Sequence, residues 1–532
     1  MAGNDGNAVP GLNDRPEVAM GGQRSLGHNA VLNFLGLALP LLLAFLLVPV
    51  VTRNLGPGRF GLLGIAWAFT EYLTLFDLGL GRALVKFVAD CVQRSSPELN
   101  ETISVSLLIQ FVAGLVGGYL FYLAAPLLVG KVFKVSPELS TEAVGVFRVV
   151  GLSLPLVLLI SGQRAILEGA QRFDVSATLR IIGSIISLAI PAVGAVVGFS
   201  LPAILLIVFA ARLLVSSLYA LAIKSAIPKF RWTLSTNRLL VRRLLSFGGW
   251  VLVSNTVSPL LVYFDRFALG SIAGLSAVGF YTAPYEAITR LLIVPTALFG
   301  TLLPALATAD AADDTQHFAR MASGTERIVA PAMAVPAAFI AVFAAELLKA
   351  WLGAEYAVRA ATGLRLLAFG VFMNSLAIPL LVIFYAKNRP DLPAKFHLLE
   401  LVLHIPLTLF LIRAYGISGA AAAWAIRVTL DMCLLLVGSA RLTTTSVVSA
   451  AGGRLGRILT GLALLMTGLI ASQRLVAIST MAAAGGVVLT IAVFAATSWS
   501  WILGDQERAA MIGTLRSYLN RVPPNTFRAD AG

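Results

Sequence analysis

Apolar runs of about 20 residues recur from Leu26 to Ile502, each long enough to cross a hydrocarbon core of roughly 30 Å as a helix. Most charged residues gather in the breaks between them. This alternation predicts helices at Leu26–Thr52, Phe60–Leu80 (reaching Val88 if the run continues), Ile103–Val129, Val144–Leu167, Val175–Val197, Leu201–Ile223, Leu244–Leu269 and Val278–Leu306. Six more follow at Ile328–Leu348, Leu364–Ala386, Phe396–Ile412, Ile417–Gly438, Leu455–Ala471 and Met481–Ile502. The fold class is therefore all-α, a polytopic membrane protein of about 14 transmembrane helices, because a helix pairs its own backbone groups where no water reaches them.

Composition agrees. Of 532 residues, 58% are hydrophobic and 12% charged, against roughly 45–50% and 25% in soluble domains, and the mean hydropathy is +0.87. The net charge of +14 marks orientation rather than nucleic acid, since lysine and arginine collect in cytoplasmic loops. Arg82, Lys86, Arg94, Arg164, Arg172 and the basic run from Lys224 to Arg243 fall on the side of the amino terminus. Arg53, Arg59, Lys131 and Lys134 are among the few on the other side. With an even number of helices, both termini are expected in the cytoplasm. Cys91 and Cys433 lie too far apart to argue a disulfide or metal framework.

The second half repeats the first. Arg53-Asn-Leu-Gly56 followed by Phe60-Gly61 is answered by Asp265-Arg266-Phe-Ala-Leu-Gly270 followed by Gly279-Phe280; Gly169-Ala-Gln-Arg172 by Ala386-Lys-Asn-Arg389; and Gly198-Phe199 by Tyr415-Gly416. A parallel repeat of six helices places a pseudo-twofold along the membrane normal, so two bundles can rock about a central cleft. Pro40 and Pro49 in helix 1 and Pro284, Pro295 and Pro304 in helix 8 can bend helices next to such a cleft. The expected organisation is a disordered cytoplasmic tail (1–25), an N-lobe of helices 1–6 (26–223), a cytoplasmic interlobe linker (224–243), a C-lobe of helices 7–12 (244–442), helices 13–14 (443–503) and a second cytoplasmic tail (504–532).

These landmarks also carry a resemblance. Val48-Pro-Val-Val-Thr-Arg53-Asn-Leu-Gly56, Phe76-Asp77-Leu-Gly79-Leu-Gly81, Leu167-Glu-Gly169-Ala-Gln-Arg172-Phe173, Asp265-Arg266 and Tyr415-Gly416-Ile-Ser-Gly419-Ala420-Ala421, in this order, make the chain from Leu26 to Gly438 resemble the polysaccharide transporter family. These are the O-antigen-type flippases of the multidrug/oligosaccharidyl-lipid/polysaccharide exporter superfamily. The resemblance implies a V-shaped pair of lobes in the bacterial inner membrane. By alternating access they would move an undecaprenyl-pyrophosphate-linked oligosaccharide from the cytoplasmic to the periplasmic leaflet, for surface or exopolysaccharide biosynthesis. It also implies membrane lipids, a glycan polymerase and a chain-length regulator as partners, and a proton or sodium ion for coupling. Helices 13 and 14 depart from a plain twelve-helix pattern; related lipid-linked peptidoglycan precursor flippases have such a pair.

Charged groups inside apolar spans cost several kcal/mol even on lenient scales of about 2.5–3.5 kcal/mol each, so each is a functional candidate. Arginine is the commonest here, and its guanidinium stays charged and offers a planar fork to phosphate oxygens. Arg53 and Arg266 hold equivalent places at the ends of helices 1 and 7 and lead the substrate-binding candidates, with Arg290 and Arg365 second. Asp77, Asp265 and Glu286 are coupling-ion or structural polar candidates. Each has a plainer reading beside it. Arg53 snorkels at the interface, Asp265 neutralises Arg266, and Arg148, Arg180 and Arg212 anchor helix ends. Glu286 pairs with Arg290, and Arg427 with Asp431, at i,i+4 spacing. His397, Glu400 and His404 share one face of helix 11, where interhelical hydrogen bonding outweighs a metal site; Gly114 and Gly118 form a packing GxxxG.

No catalytic residues, cofactor, metal or nucleic-acid partner are expected. A G-x-x-x-x-G-K-[ST] pattern is missing from the sequence, which sets an ATP-driven pump aside. The rival readings are a peptidoglycan precursor flippase, a cation-coupled drug exporter, whose cavity would favour acidic groups, and a membrane glycan polymerase or ligase, which would carry a long periplasmic loop.

Overall fold

The computed structural model describes residues 26–77, 80–94, 96–228, 230–233, 241, 260–443, 447–505, 507–509 and 512–513. The expected tail 1–25, half of the interlobe linker 224–243, the first part of helix 7 and the end of the chain lie outside the described residues. The described residues hold helices and turns, with no strand. The first six helices are α1 (Leu26–Tyr72), α2 (Leu80–Gln93), α3 (Leu99–Leu127), α4 (Pro137–Gly169), α5 (Phe173–Val197) and α6 (Leu201–Ala226). Next come α7 (260–272), α8 (Leu275–Thr289), α9 (Ile293–Ala311), α10 (Thr315–Val342), α11 (Ala344–Trp351), α12 (Ala354–Ala386), α13 (Asp391–Leu442), α14 (Val447–Leu475) and α15 (Thr480–Thr497). By length and hydropathy nine candidate spans qualify among the described residues, so the count of fourteen stays an expectation.

Two helices are far longer than one crossing requires. At 1.5 Å per residue, the 47 residues of α1 and the 52 of α13 overshoot the roughly 20 that span a bilayer. Each contains one glycine outside helical geometry, Gly56 at φ 74° in α1 and Gly416 at φ 57° in α13. An L side chain rarely adopts that backbone, and the chain turns there. The sequence placed breaks at both points.

The repeat reappears in the backbone. Left-handed Gly56 and Gly198 are followed by left-handed Gly274 and Gly416 at the same spacing of 218 residues, the difference in each pair of numbers. Gln171 (φ 59°) is answered by Asn388 (φ 53°), each closing a turn between two helices.

The helices pack in two sets. Within the first, α3 lies on α4, α4 on α6 and α1 on α5; within the second, α12 lies on α13, α10, α11 and α9. The principal junction between the sets is α1 against α8, at the crossing of the two repeat-related glycines. A Cβ on Gly61 would stand 1.8 Å from the Leu275 carbonyl oxygen, and one on Gly279 would stand 2.2 Å from that of Pro57. Only glycine permits this approach. Around it, the Lys134 N–H donates to the Gly270 carbonyl (3.1 Å), and Phe69 packs on Phe267 with ring centroids 4.6 Å apart. On the same end Trp351 stacks on Phe45 at 5.3 Å and donates to its carbonyl (2.8 Å), while Arg53 donates to the Trp351 carbonyl (3.2 Å). The two sets are thus sealed together at the Gly56 end.

Inside the first set, Gly114 lies against Pro155 and Gly118 against Gly151, where an added Cβ would come within 2.4 Å and 2.3 Å of backbone atoms. The GxxxG is a packing seam, as read. Overpacking a tight contact costs about 1–3 kcal/mol or more, so Gly118→Leu is expected to lower the thermal midpoint of the detergent-purified protein, read by fluorescence-detected size exclusion. An unchanged midpoint would deny the seam. Helix α14 packs on α15 and on α10, with Leu465 and Leu469 against Ala334 and Ala338, away from the α1–α8 junction.

Candidate functional site

From the second set, α7 contributes Tyr263, Asp265 and Arg266, and α8 contributes Tyr281, Tyr285, Glu286 and Arg290. Asp265 and Arg266 are 0% and 1% exposed. Asp265 accepts from the Tyr281 hydroxyl and from the Arg266 backbone N–H (2.7 Å). The Arg266 side chain turns away, donating to Glu286 Oε1 at 2.7 Å. Its guanidinium lies over the rings of Tyr285 and Tyr263, 4.4 Å and 5.1 Å from their centroids, an arrangement that favours a desolvated cation. Glu286 uses its second oxygen to accept from Arg290 at 3.2 Å, so one carboxylate holds two guanidiniums.

From the first set come Glu71 near the end of α1, Arg212 on α6 and Arg164 on α4. The charges of Arg212, Glu286 and Arg164 all act on Glu71, and those of Glu71, Arg266, Glu286 and Arg290 on Tyr263. These charges therefore lie in one neighbourhood, although no ion pair among the described residues joins the two sets there. Arg212 lines a small pocket with Trp67, Thr70, Ser153, Ser187 and Phe209. Toward this end the seal is looser: Glu71 is exposed and half the Arg290 side chain is open. The arrangement gathers guanidiniums whose charge is met in part by Glu286 and Asp265.

The structure treats the sequence candidates unequally. Arg266, Glu286, Arg290 and Asp265 come together. Arg53 stands apart in the seal with Trp351. Arg365, on α12, is exposed and has no ion pair among the described residues. Asp77 accepts from Gln110 and from the Gly81 N–H (2.9 Å), a bond that joins the 3-10 turn Leu73–Asp77 to α2 and α3.

Two plainer readings are corrected. Arg427 does not turn to Asp431 but donates to Glu400 (3.2 Å), while Asp431 lies 3.9 Å from His397. The kink at Gly416 brings the two limbs of α13 side by side, and contacts across limbs displace the one along the helix. Arg212 does not anchor a helix end: α6 runs from Leu201 to Ala226, so it sits mid-helix, lining the pocket with Trp67 and Thr70. Sequence reasoning also passed over Tyr281 and Tyr285, whose only signal was Tyr281-Thr-Ala-Pro-Tyr285 with a spacing of one helical turn.

Helices sufficient for many membrane crossings, a repeat joined at a glycine crossing and ionised groups enclosed between its halves define a polytopic membrane transporter. The family model described as polysaccharide biosynthesis protein matches residues 26–309, and a candidate O-antigen transporter of Shigella flexneri is 31% identical over 77% of this chain and 97% of its own length. The chain belongs to this family of polysaccharide biosynthesis proteins. Its fold is shared with an inward-facing multidrug resistance transporter of the MATE family in the MOP superfamily (TM-score 0.66, 15% identity, 78% of this chain and 98% of that one). It is shared equally with the lipid II flippase MurJ in an inward closed conformation (TM-score 0.66, 13% identity, 87% and 98%).

Proposed function

We propose that this protein is a flippase that carries an undecaprenyl-pyrophosphate-linked oligosaccharide from the cytoplasmic to the periplasmic leaflet by alternating access, with no bond of the glycan made or broken. The observation that carries this reading is the Arg266–Glu286–Arg290 chain with Arg212 and Arg164 in its neighbourhood. A diphosphate moving through hydrocarbon loses its water, and fixed guanidiniums replace that solvation. In the unloaded protein Glu286 holds Arg266 and Arg290 in place; an arriving diphosphate competes for both. Arg53 and Arg365 lie apart from this cluster and are proposed as secondary contacts for the same cargo. The family relationship to an O-antigen transporter candidate supports the cargo class.

On the same reading, both termini lie in the cytoplasm of a bacterial inner membrane. The sealed Gly56 end is periplasmic, and the lobes are 26–223 and 244–442. A glycan polymerase and a chain-length regulator act downstream on the delivered lipid.

The test is reconstitution in liposomes with an undecaprenyl-pyrophosphate-linked glycan, following its appearance in the opposite leaflet. Losing a charge-assisted hydrogen bond costs about 1.5–3 kcal/mol, so Arg290→Ala is expected to slow translocation by about 10- to 100-fold at unchanged protein level, since its side chain is half exposed. Arg53→Ala is expected to abolish export as well. Wild-type rates in both variants, or formation of glycosidic bonds by the reconstituted protein, would overturn the proposal.

A further inference from the structure

Glu400, on the first limb of α13, is 0% exposed, yet only one of its oxygens is answered. Oε2 accepts from Arg427, while Oε1 has no hydrogen-bond partner. Asp431, on the second limb, also has its Oδ1 unanswered. One ligand atom from each of His397, Glu400 and Asp431 falls within 4.8 Å of the others, which places the two carboxyl groups side by side. Two ionised carboxylates have no hydrogen to place between them and repel; one bound proton converts the contact into a hydrogen bond.

Charge balance leads to the same place. Arg427 pairs with only one of the two carboxylates, Glu400, so with His397 neutral the group lacks one positive charge. A metal dication suits the gap poorly, because three ligand atoms fall short of the six or more that calcium or magnesium takes and the Arg427 guanidinium already sits on Glu400. The surrounding elements bring little else that is charged. His404, on the same limb, is held by Thr408 (3.3 Å) and packs edge-on against Phe264 of α7. α12 presents Phe384 to Phe396. Asp265 of α7 and Tyr285 of α8 feel the Arg427 charge.

We propose that Glu400 and Asp431 share one exchangeable proton that enters through His397, and that its binding and release drive the transport cycle. The His397 side chain is 36% exposed and its Nε2 stands 3.9 Å from Asp431 Oδ1. A proton taken from water at Nε2 passes to Asp431 and rests between the carboxyls; on release it returns to water by the same route. No electrons move. Protonation cancels part of the charge that holds Arg427, whose guanidinium then acts more strongly on Asp265 and Tyr285 at the proposed cargo site.

The driving role rests on the flippase reading; the proton site does not. Infrared difference spectra of the full-length protein in nanodiscs, titrated from acid to alkaline pH, are expected to lose a protonated-carboxyl band. Glu400→Gln and Asp431→Asn should each lack this band, while Glu355→Gln, at an exposed pair with Arg359, should retain it. A band unchanged in both site variants would overturn the proposal. So would a band that sodium or zinc ions, added at constant pH, remove from wild type alone, since a metal would then be the occupant. In vesicles a gradient of one pH unit, about a tenfold ratio in proton activity, should change the wild-type translocation rate and leave that of Glu400→Gln unchanged. An equal response in the two would remove the driving role. Should wild type move no lipid while the band still titrates, the flippase reading fails and the proton site stands.

Discussion

Gly61→Leu is expected to abolish translocation. A Cβ at this position lies 1.8 Å from the Leu275 carbonyl oxygen and 2.9 Å from the Gly279 nitrogen, and the atoms it meets are backbone, which cannot swing aside. Helices α1 and α8 then cannot close on each other, and the population moves to states in which the Gly56 end is open. Overpacking a tight contact costs about 1–3 kcal/mol or more, and each 1.4 kcal/mol shifts such a two-state preference about tenfold. Thr282 reports the change. It is 2% exposed and touches Gly64 across the same crossing, so Thr282→Cys should react slowly with a membrane-impermeant thiol reagent in the native background and rapidly beside Gly61→Leu. Gly183→Leu is the control, since a Cβ there meets nothing within 4 Å. Transport at the native rate by Gly61→Leu would show that the crossing need not be closed.

Arg266→Ala is expected to lose both transport and folded protein, for separable reasons. Its guanidinium is enclosed between Tyr263 and Tyr285 and paired to Glu286 at 2.7 Å, with Asp265 beside it. Removing one partner of a buried pair costs about 3–5 kcal/mol, a large share of a typical total of 5–15 kcal/mol. Expression levels alone therefore say nothing about cargo. Arg266→Met combined with Asp265→Asn and Glu286→Gln removes the charges together and should recover most of the thermal midpoint. If Arg266 grips the diphosphate, translocation stays lost in the recovered variant. Translocation returning with stability would make Arg266 a structural residue and leave Arg290 and Arg212 to carry the cargo.

Much of the helical pattern was legible because it is local. Apolar runs record the solvent each segment meets, and glycines at breaks record backbone geometry only they adopt with ease, which is why Gly56, Gly198 and Gly416 could be marked as turns from sequence. Amphipathic ends were read less well. The ninth helix was expected at Ile328, but α10 begins at Thr315, capped by Asp314, whose side chain accepts from the His317 N–H at 2.9 Å. The polar residues Arg320 and Arg327 resembled a loop, but the exposed Arg320 meets water from a helix that continues past the membrane, and Arg327 is largely buried and pairs with Glu507 at 2.8 Å.

The sequence by itself determined that the chain enters the membrane, where its helices bend, that its second half repeats the first, and that arginines lie within its apolar spans. The Glu286–Arg290 pair was legible at i,i+4 spacing and is present at 3.2 Å; the tertiary structure decided the pairings between helices. Spacing along the chain offered Asp431 to Arg427 and Asp265 to Arg266; packing gave Glu400 to the first and Glu286 to the second. An i,i+4 contact is fixed by helical pitch, whereas a contact between helices depends on the depth and rotation of each in the bundle. Those are set by hundreds of side chains acting together, and by the glycine crossing that holds the two halves in register.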